Sequence, residues 1–350
     1  MKLPFWAIVM ITIGLSCSCK KKEKHVRVER AFYYWKSSEY SLGDNQAAQL
    51  KTLKVKKLYV KFFEVQPDPV FINKPISKTT LHIWWNDSLT AGIEVIPTVY
   101  IQNETLQKLT SAGTDSLADN IIFLVNKFYK SNIRNGEGKY KEIQIDCDWT
   151  KSTKDNYFAL LKAIKKHTTA TLSCTLRLYP YKYENAMGTP PVDKAMLMCY
   201  NLVNPLSSTN KNSILENAEL KKYLRKNKTY PLHLDIAFPV YSWAQVYKDK
   251  VFSGVINTTD IDLSNAVKPI QPPLWYEVKN DMDVGNMYLR EGDRIKMEGV
   301  GGETLNETID LLKNNLELDS TVTISFFHLN GKNFKYTNET LNKLYTRFGN

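Results

Sequence analysis

The sequence predicts an α/β chain folded as a (β/α)8 TIM barrel, with a small β insertion after the seventh strand. Three observations predict it. Strand-type and helix-type segments alternate roughly every 20 to 40 residues from residue 31 onward, which implies βαβ units and parallel pairing. Eight strand-type runs lie near residues 33, 60, 97, 145, 174, 197, 235 and 325, and eight such units suit a closed barrel of about 250 residues with extensions. The rival fold, an open doubly wound sheet, needs a Gly-rich phosphate turn after the first strand. That turn reads Lys36-Ser37-Ser38-Glu39-Tyr40, and no Walker motif occurs elsewhere, so nucleotide binding loses its main support.

The elements follow in order. Ala31–Trp35 (AFYYW) is a short aromatic strand, and 44–53 opens on an N-cap-type Asp followed by helix formers. Lys57–Val65 (KLYVKFFEV) and Gly92–Ile101 (GIEVIPTVYI) are β-branched and aromatic throughout. Leu117, Ile121, Ile122, Leu124 and Val125 give 114–127 a helical period. Strand 141–149 (KEIQIDCDW), a helix over 152–167, strand 169–179 and the apolar strand 194–200 come next. A helix over 213–225 and the strand 231–240 (PLHLDIAFPV) lead to the insertion, set at 244–302, whose Glu291-Gly292-Asp293 turn sits between alternating runs. Helices at 304–315 and 338–348 flank the last strand, 321–328 (TVTISFFH). The segment 68–89 does not fit a minimal barrel and reads as an extra strand or hairpin.

The first 19 residues read as a targeting segment. Lys2 precedes an uncharged run, Phe5–Leu15 (FWAIVMITIGL), too short for a spanning helix of about 20 residues and suited to a signal-peptide core. Ser16-Cys17-Ser18-Cys19 follows. Small residues before a Cys resemble a bacterial lipobox. The resemblance implies that Cys17, or else Cys19, is acylated and holds the chain to a lipid bilayer; an ordinary cleaved signal peptide is the alternative. Residues 20–30 carry six basic and two acidic residues and are set apart as a basic tether, attracted to anionic headgroups, with the barrel domain placed at 31–350. The expected location is the bacterial cell envelope, at its periplasmic or outer-membrane face.

Composition bounds the rest. The 350 residues are 43% apolar and 12% aromatic with 5 Cys and a net charge of +11. That excludes a disordered chain and a disulfide scaffold. Lys2 and the tether hold +5 of the charge, leaving +6 over the body without a dense basic stretch, so no nucleic-acid partner is implied. No C-x-x-C or H-x-x-x-H occurs, and neither a metal nor another cofactor is expected. Cys147, Cys174 and Cys199 fall opposite the polar positions of three successive strands, as small buried hydrophobes toward the helices.

The sharpest chemical signal is Ile143-Gln144-Ile145-Asp146-Cys147-Asp148-Trp149. Residues two apart in a strand share a face, so Asp146 and Asp148 should stand together at the end of strand four, where barrel enzymes keep catalytic groups. Close carboxylates raise one another's pKa. The alternative is an Asp pair that caps the following helix. Glu64 ends strand two beside Phe62 and Phe63, as a candidate acid at the same rim or an ion-paired surface Glu. Arg177 shares the parity of Ser173 and Thr175. Tyr200 and Asn201 end strand six, and Tyr34, Trp35 and Trp243 offer flat faces for sugar rings.

The run 143–149 resembles strand four of the family 18 glycoside hydrolases, the chitinase-like barrels, whose motif is D-x-x-D-x-D-x-E. Aligned on Asp146 and Asp148, the family's catalytic Glu falls on Thr150 and its first Asp on Ile143. Tyr200 after Met198, and Phe238-Pro239-Val240-Tyr241-Ser242-Trp243, also resemble that superfamily's later strands. Nearly the whole chain is similar to lipoproteins of Bacteroidetes-type bacteria, through Tyr-x-Trp-Lys, Leu-Tyr-x-x-Phe-Phe-acid and I-Q-I-D-x-D-W. Two functions follow as expectations. One is hydrolysis of a polysaccharide by Asp146, Asp148 and Glu64. The other is a catalytically inactive glycan-binding or scaffold lipoprotein, consistent with Thr150 in place of the acid.

Overall fold

The computed structural model describes residues 26–349, except 37–39, 68–75, 78–82, 85–91, 134–138, 208–209, 227, 259–260, 272, 286 and 330–335. The targeting segment, Cys17, Cys19 and most of the 68–89 segment lie outside the described residues. Eight parallel strands form the barrel: β1 (Arg27–Tyr34), β2 (Lys57–Gln66), β3 (Glu94–Ile101), β4 (Glu142–Asp146), β5 (Thr171–Arg177), β6 (Lys194–Met198), β7 (His233–Pro239) and β8 (Thr321–Phe327). Each pairs with its successor, and β1 pairs with both β2 and β8, which closes the ring. All eight expected strands are present, and the TIM barrel is the fold. Ile76–Ser77 adds a short antiparallel rung on the end of β2.

One boundary moves. β1 starts at Arg27, in register with Thr321 of β8, so residues 27–30 belong to the barrel and not to the tether. Glu29 pairs with Lys57 at 2.7 Å, and Arg30 donates to the carbonyl of Leu53 and to Asn342 Oδ1. A charge run read as a leash is therefore a strand end with charged residues on both faces and Val28 packed on the outer core.

The wall has two sides. The apolar residues of one parity pack against the helices in one large core, where Phe32, Phe63, Ile145, Cys174, Leu197 and Phe326 have almost no exposed surface. Cys147, Cys174 and Cys199 all lie in that layer as free thiols. Helix α1 (Ser111–Asn132) and helix α2 (Lys154–His167) cover β3 to β5. The helix expected over 213–225 is shorter, Asn217–Tyr223, because Ser213 is drawn into bonds with the insertion.

The other parity fills the barrel with polar groups. Lys194 Nζ lies 2.7 Å from Glu142 Oε2 and 3.0 Å from Asp235 Oδ2. Asp235 also accepts from the Thr323 amide at 2.6 Å and meets His233 at 3.1 Å. Burial would push the Asp235 carboxyl up, but His233, Lys194 and that amide outweigh it and hold it at about 2. Above this layer Tyr33 donates to Gln144 Oε1 at 2.6 Å and stacks on Tyr59 at 5.0 Å.

The insertion runs from Ser242 to Gly299. It is a five-stranded antiparallel sheet ordered 251–257, 242–248, 294–299, 275–278, 267–271, with a separate hairpin at 282–289. Ala244, Val246, Val278 and Ile295 give it a core of its own. It is tied to the loop after β6 by Glu298, which accepts from the Ser213 amide (2.8 Å), Ser213 Oγ (2.5 Å), Trp243 Nε1 (2.6 Å) and Gln245 Nε2 (2.7 Å).

Candidate functional site

The C-terminal rim of the barrel gathers most of the expected residues. A bulge in β2 decides one of them. Lys61 pairs with Thr98, but the next paired residue is Phe63, opposite Val99. Phe62 is therefore extra, and Phe62 and Phe63 both enter the outer core. Strict alternation would send Glu64 to the helices; the bulge returns it to the interior parity. Glu64 stands in register with Tyr100, and Tyr100 with Asp146. Three rim residues thus share one rung.

The three carboxyls have separate environments. Asp146 ends β4, is 9% exposed, and accepts from Thr175 Oγ1 at 2.5 Å. Burial raises its pKa to about 7; the Thr175 hydroxyl pulls it down and Asp148 pushes it up. Asp148 lies beyond the strand, which ends at Asp146, and its side chain is half exposed. It accepts from Arg177 Nη1 at 2.9 Å, while Arg177 Nη2 donates to the Asn201 carbonyl at 2.8 Å. Burial would lower the Arg177 pKa, but Asp148 outweighs it and holds the guanidinium charged. Glu64 is ion-paired to the buried Lys61 at 3.4 Å and accepts from the Gln66 amide group. Glu64 is not packed against the two phenyl rings, because both rings face the outer core, and the ion-paired alternative is the one observed.

Thr150, at the position of the resembled family's catalytic Glu, lies just before the turn that leads into α2. Its amide donates to Thr153 Oγ1 at 2.9 Å and its hydroxyl shares a proton with Ser152 Oγ at 2.9 Å. Thr153 in turn donates to Asn103 Oδ1 at 2.6 Å. Thr153 is the N-cap of α2 and makes no side-chain capping bond, and neither Asp146 nor Asp148 supplies one.

The aromatic residues form a continuous, partly buried arc. Tyr100 and Trp35 meet edge to face at 6.3 Å, Trp35 and Phe327 at 5.7 Å, Phe327 and Tyr241 at 5.8 Å, and Tyr241 and Trp243 at 5.5 Å. Lys61 Nζ sits 5.5 Å from the Trp35 ring centre. The Trp243 indole is fixed by Glu298. Asn201, in the left-handed region at φ 55°, accepts from Tyr241 Oη at 2.6 Å through its side chain.

Trp35, Trp243, Asn201, Arg177, Asp146, Asp148 and Glu64 are thus brought together. Two expected residues are not. Tyr34 is fully buried in the outer core, since its parity is opposite to that of Tyr33, and offers no face to a ligand. Tyr200 is 3% exposed beneath Phe327 and Tyr241, so it supports the arc from below. Sequence reasoning missed Tyr100, Phe327, Tyr241, Lys61 and Thr175. Parity was the available signal: Phe327 follows Ser325 by two, and Tyr100 follows Thr98 by two. Among the described residues no group of three or more His, Cys, Asp or Glu side chains converges as metal ligands, and no helix is long and apolar enough to cross a membrane.

One consequence is measurable. The unfolded Asp146 carboxyl titrates near 3.8 and the folded one near 7, so between those values the native state binds the extra proton. Stability should therefore fall as pH rises from about 4 to about 7, at about 1.4 kcal/mol per pKa unit. Urea unfolding of wild type and Asp146→Asn across that window checks it. The variant is expected to lose this part of the slope; parallel curves would contradict it.

Comparison with known proteins gives fold-level likeness. The chain matches no protein-family profile and no curated protein sequence. Among solved structures it resembles the spore cortex-lytic enzyme SleL of Bacillus cereus, with a TM-score of 0.55 at 14% identity over 92% of this chain and 75% of that one. SleL of Bacillus megaterium QM B1551 gives 0.54 at 13% identity over 92% and 74%. A chitinase from Chromobacterium violaceum ATCC 12472 gives 0.54 at 10% identity over 92% and 99%. The fold is that of chitinase-like barrels.

Proposed function

We propose that this chain binds an oligosaccharide along the aromatic arc of its barrel rim without hydrolysing it. The observation that carries the reading is the engagement of the rim carboxyls. Glu64 is neutralised by Lys61 and Asp148 by Arg177, and Thr150 stands where an acid would be needed. A glycosidase needs one carboxyl to protonate the leaving oxygen and a second, about 5–9.5 Å away, to act as nucleophile or base. The Asp146 carboxyl is pushed up to about 7 by burial, and it is held against Thr175. The partly buried rings Trp35, Tyr100, Phe327, Tyr241 and Trp243 supply flat apolar faces, with polar edges on the Trp and Tyr rings, which suit the faces of pyranose rings.

The same carboxyl favours the second reading. An acid that titrates near 7 suits proton transfer, so hydrolysis by Asp146, Asp148 and Glu64 is the alternative to be tested. Because similar structures carry the names chitinase and spore cortex-lytic enzyme, chitin oligosaccharides are the first probe. Titration calorimetry should show binding by the wild type and at least a tenfold loss in Trp35→Ala, about 1.4 kcal/mol or more. Equal affinity in both proteins would remove the arc as the site. The proposal places the protein in the bacterial cell envelope, held to a bilayer through an acylated Cys17 or Cys19. The support for this part is the apolar run and the small residues before the cysteines.

A further inference from the structure

We infer that the N-terminal face of the barrel, opposite the aromatic rim, docks on an anionic lipid bilayer. The face is built from the loops that precede the strands. Lys54 and Lys56 lead into β2, Lys139 and Lys141 into β4, Lys166 into β5 and Lys226 into β7. All six are exposed, and none has an ion-pair partner among the described residues. Three acidic residues on the same face are engaged, Asp193 with Lys165, Asp319 with His233, and Glu317 with Thr229, and Glu94 at the start of β3 is partly buried.

The lysines before β4 and β5 border a cleft of about 590 Å³, lined also by Tyr140, His167 and Thr168. It opens on the N-terminal side, beyond the ends of the strands, and its rim is polar. Three ammonium groups around one hollow make a site for phosphate-bearing headgroups, held by charge.

The occupant follows from where the chain enters. β1 begins at Arg27 on this same face, and the preceding residues include Lys20, Lys21, Lys22 and Lys24 behind an apolar run. β1 thus joins that basic segment of the sequence to this face of the barrel. A bilayer reached by that segment meets the basic face first, which leaves the rim pointing away from the membrane. The inference does not depend on what the rim binds.

The test uses the full chain, so that every variant keeps the same N-terminus. Lys139→Glu/Lys141→Glu alters the N-terminal side of β4. Lys151→Glu/Lys154→Glu makes the same charge change on the rim side of the same strand. Co-sedimentation is measured on vesicles of phosphatidylcholine alone and with 30% phosphatidylglycerol, with excess salt as a further arm. Basic residues near an anionic surface contribute about 1 kcal/mol each, so the first variant should bind the anionic vesicles roughly tenfold or more weakly than wild type. The difference should vanish on neutral vesicles and in high salt, where the Debye length shrinks to about 3 Å at 1 M. The rim variant should match the wild type. Equal losses in the two variants would mean net charge, not a face; no loss in the first would mean that the N-terminal segment alone holds the membrane. Either outcome overturns the inference. Binding of soluble glycerol phosphate but not of vesicles would also overturn it.

Discussion

Replacing Lys194 by Met is expected to destabilise the barrel by about 3–5 kcal/mol, the cost of removing one member of a buried ion cluster. The reason is that Lys194 serves two carboxylates at once, Glu142 at 2.7 Å and Asp235 at 3.0 Å, both almost fully buried. Neither gains water when the ammonium is removed. Lys165→Met is the control: its partner Asp193 is half exposed, and such surface pairs contribute about 0–1 kcal/mol. The pH profile separates the two further. Asp235 is held at about 2 against a usual 3.8, so its stabilisation is present above 3.8 and lost as pH falls toward 2. His233 is raised above 6.5, first by its bond to Asp235; its contribution is full below 6.5 and lost as pH rises through the folded value. In Lys194→Met the acid limb should begin at a higher pH, because Asp235 loses one of the partners that lower it. Urea midpoints at several pH values check both statements, and a loss no larger than that of Lys165→Met would contradict them.

Glu298→Leu is expected to cost a similar amount, about 3–5 kcal/mol, and to loosen the insertion from the barrel. Glu298 and Lys296 face each other at 2.8 Å with no side-chain exposure, and Glu298 also accepts from Ser213, Trp243 and Gln245. The change leaves the Lys296 charge buried without its carboxylate. Lys296→Met/Glu298→Leu should recover part of the loss, since the stranded charge goes while the orphaned amide of Ser213 remains. Glu277→Gln in the same sheet, where Lys268 and Glu277 are solvated, should cost less than about 1 kcal/mol. Thermal unfolding followed by tryptophan fluorescence reads both effects, because Trp243 is bonded to Glu298. A wild-type midpoint in Glu298→Leu would contradict the account.

The strand count, their parallel order and the place of the insertion were legible because β-branched and aromatic runs are local signals. Parity also carried over wherever a strand is regular: it placed Cys147, Cys174 and Cys199 outward and Arg177 inward. It was misapplied at Tyr34, where an aromatic at a strand end was read as a rim residue although Tyr33 holds the interior position. The bulge at Phe62 was not legible, since nothing in KFFEV says which residue goes unpaired. The environment of Glu64 was therefore open between an acid beside the rings and an ion-paired Glu, and the ion pair is the one that forms. The arc from Tyr100 to Trp243 was not legible either, because its rings come from segments far apart in sequence and meet only when the barrel closes. The start of β1 was hidden by charge: RVER puts charged residues on both faces of the strand end, Arg27 and Glu29 on one and Arg30 on the other, which looks like a tether until Thr321 is known to pair with Arg27.

The most direct test of the central claim is to incubate wild type with chitin oligosaccharides, follow binding by calorimetry and assay the same mixture for new reducing ends. Glu64, Asp148 and Thr150 are each committed elsewhere, so the account predicts saturable binding, weakened at least tenfold in Trp35→Ala, with no reducing ends above the protein-free control. Turnover by wild type that Asp148→Asn abolishes would contradict it and establish the rim as a hydrolase site.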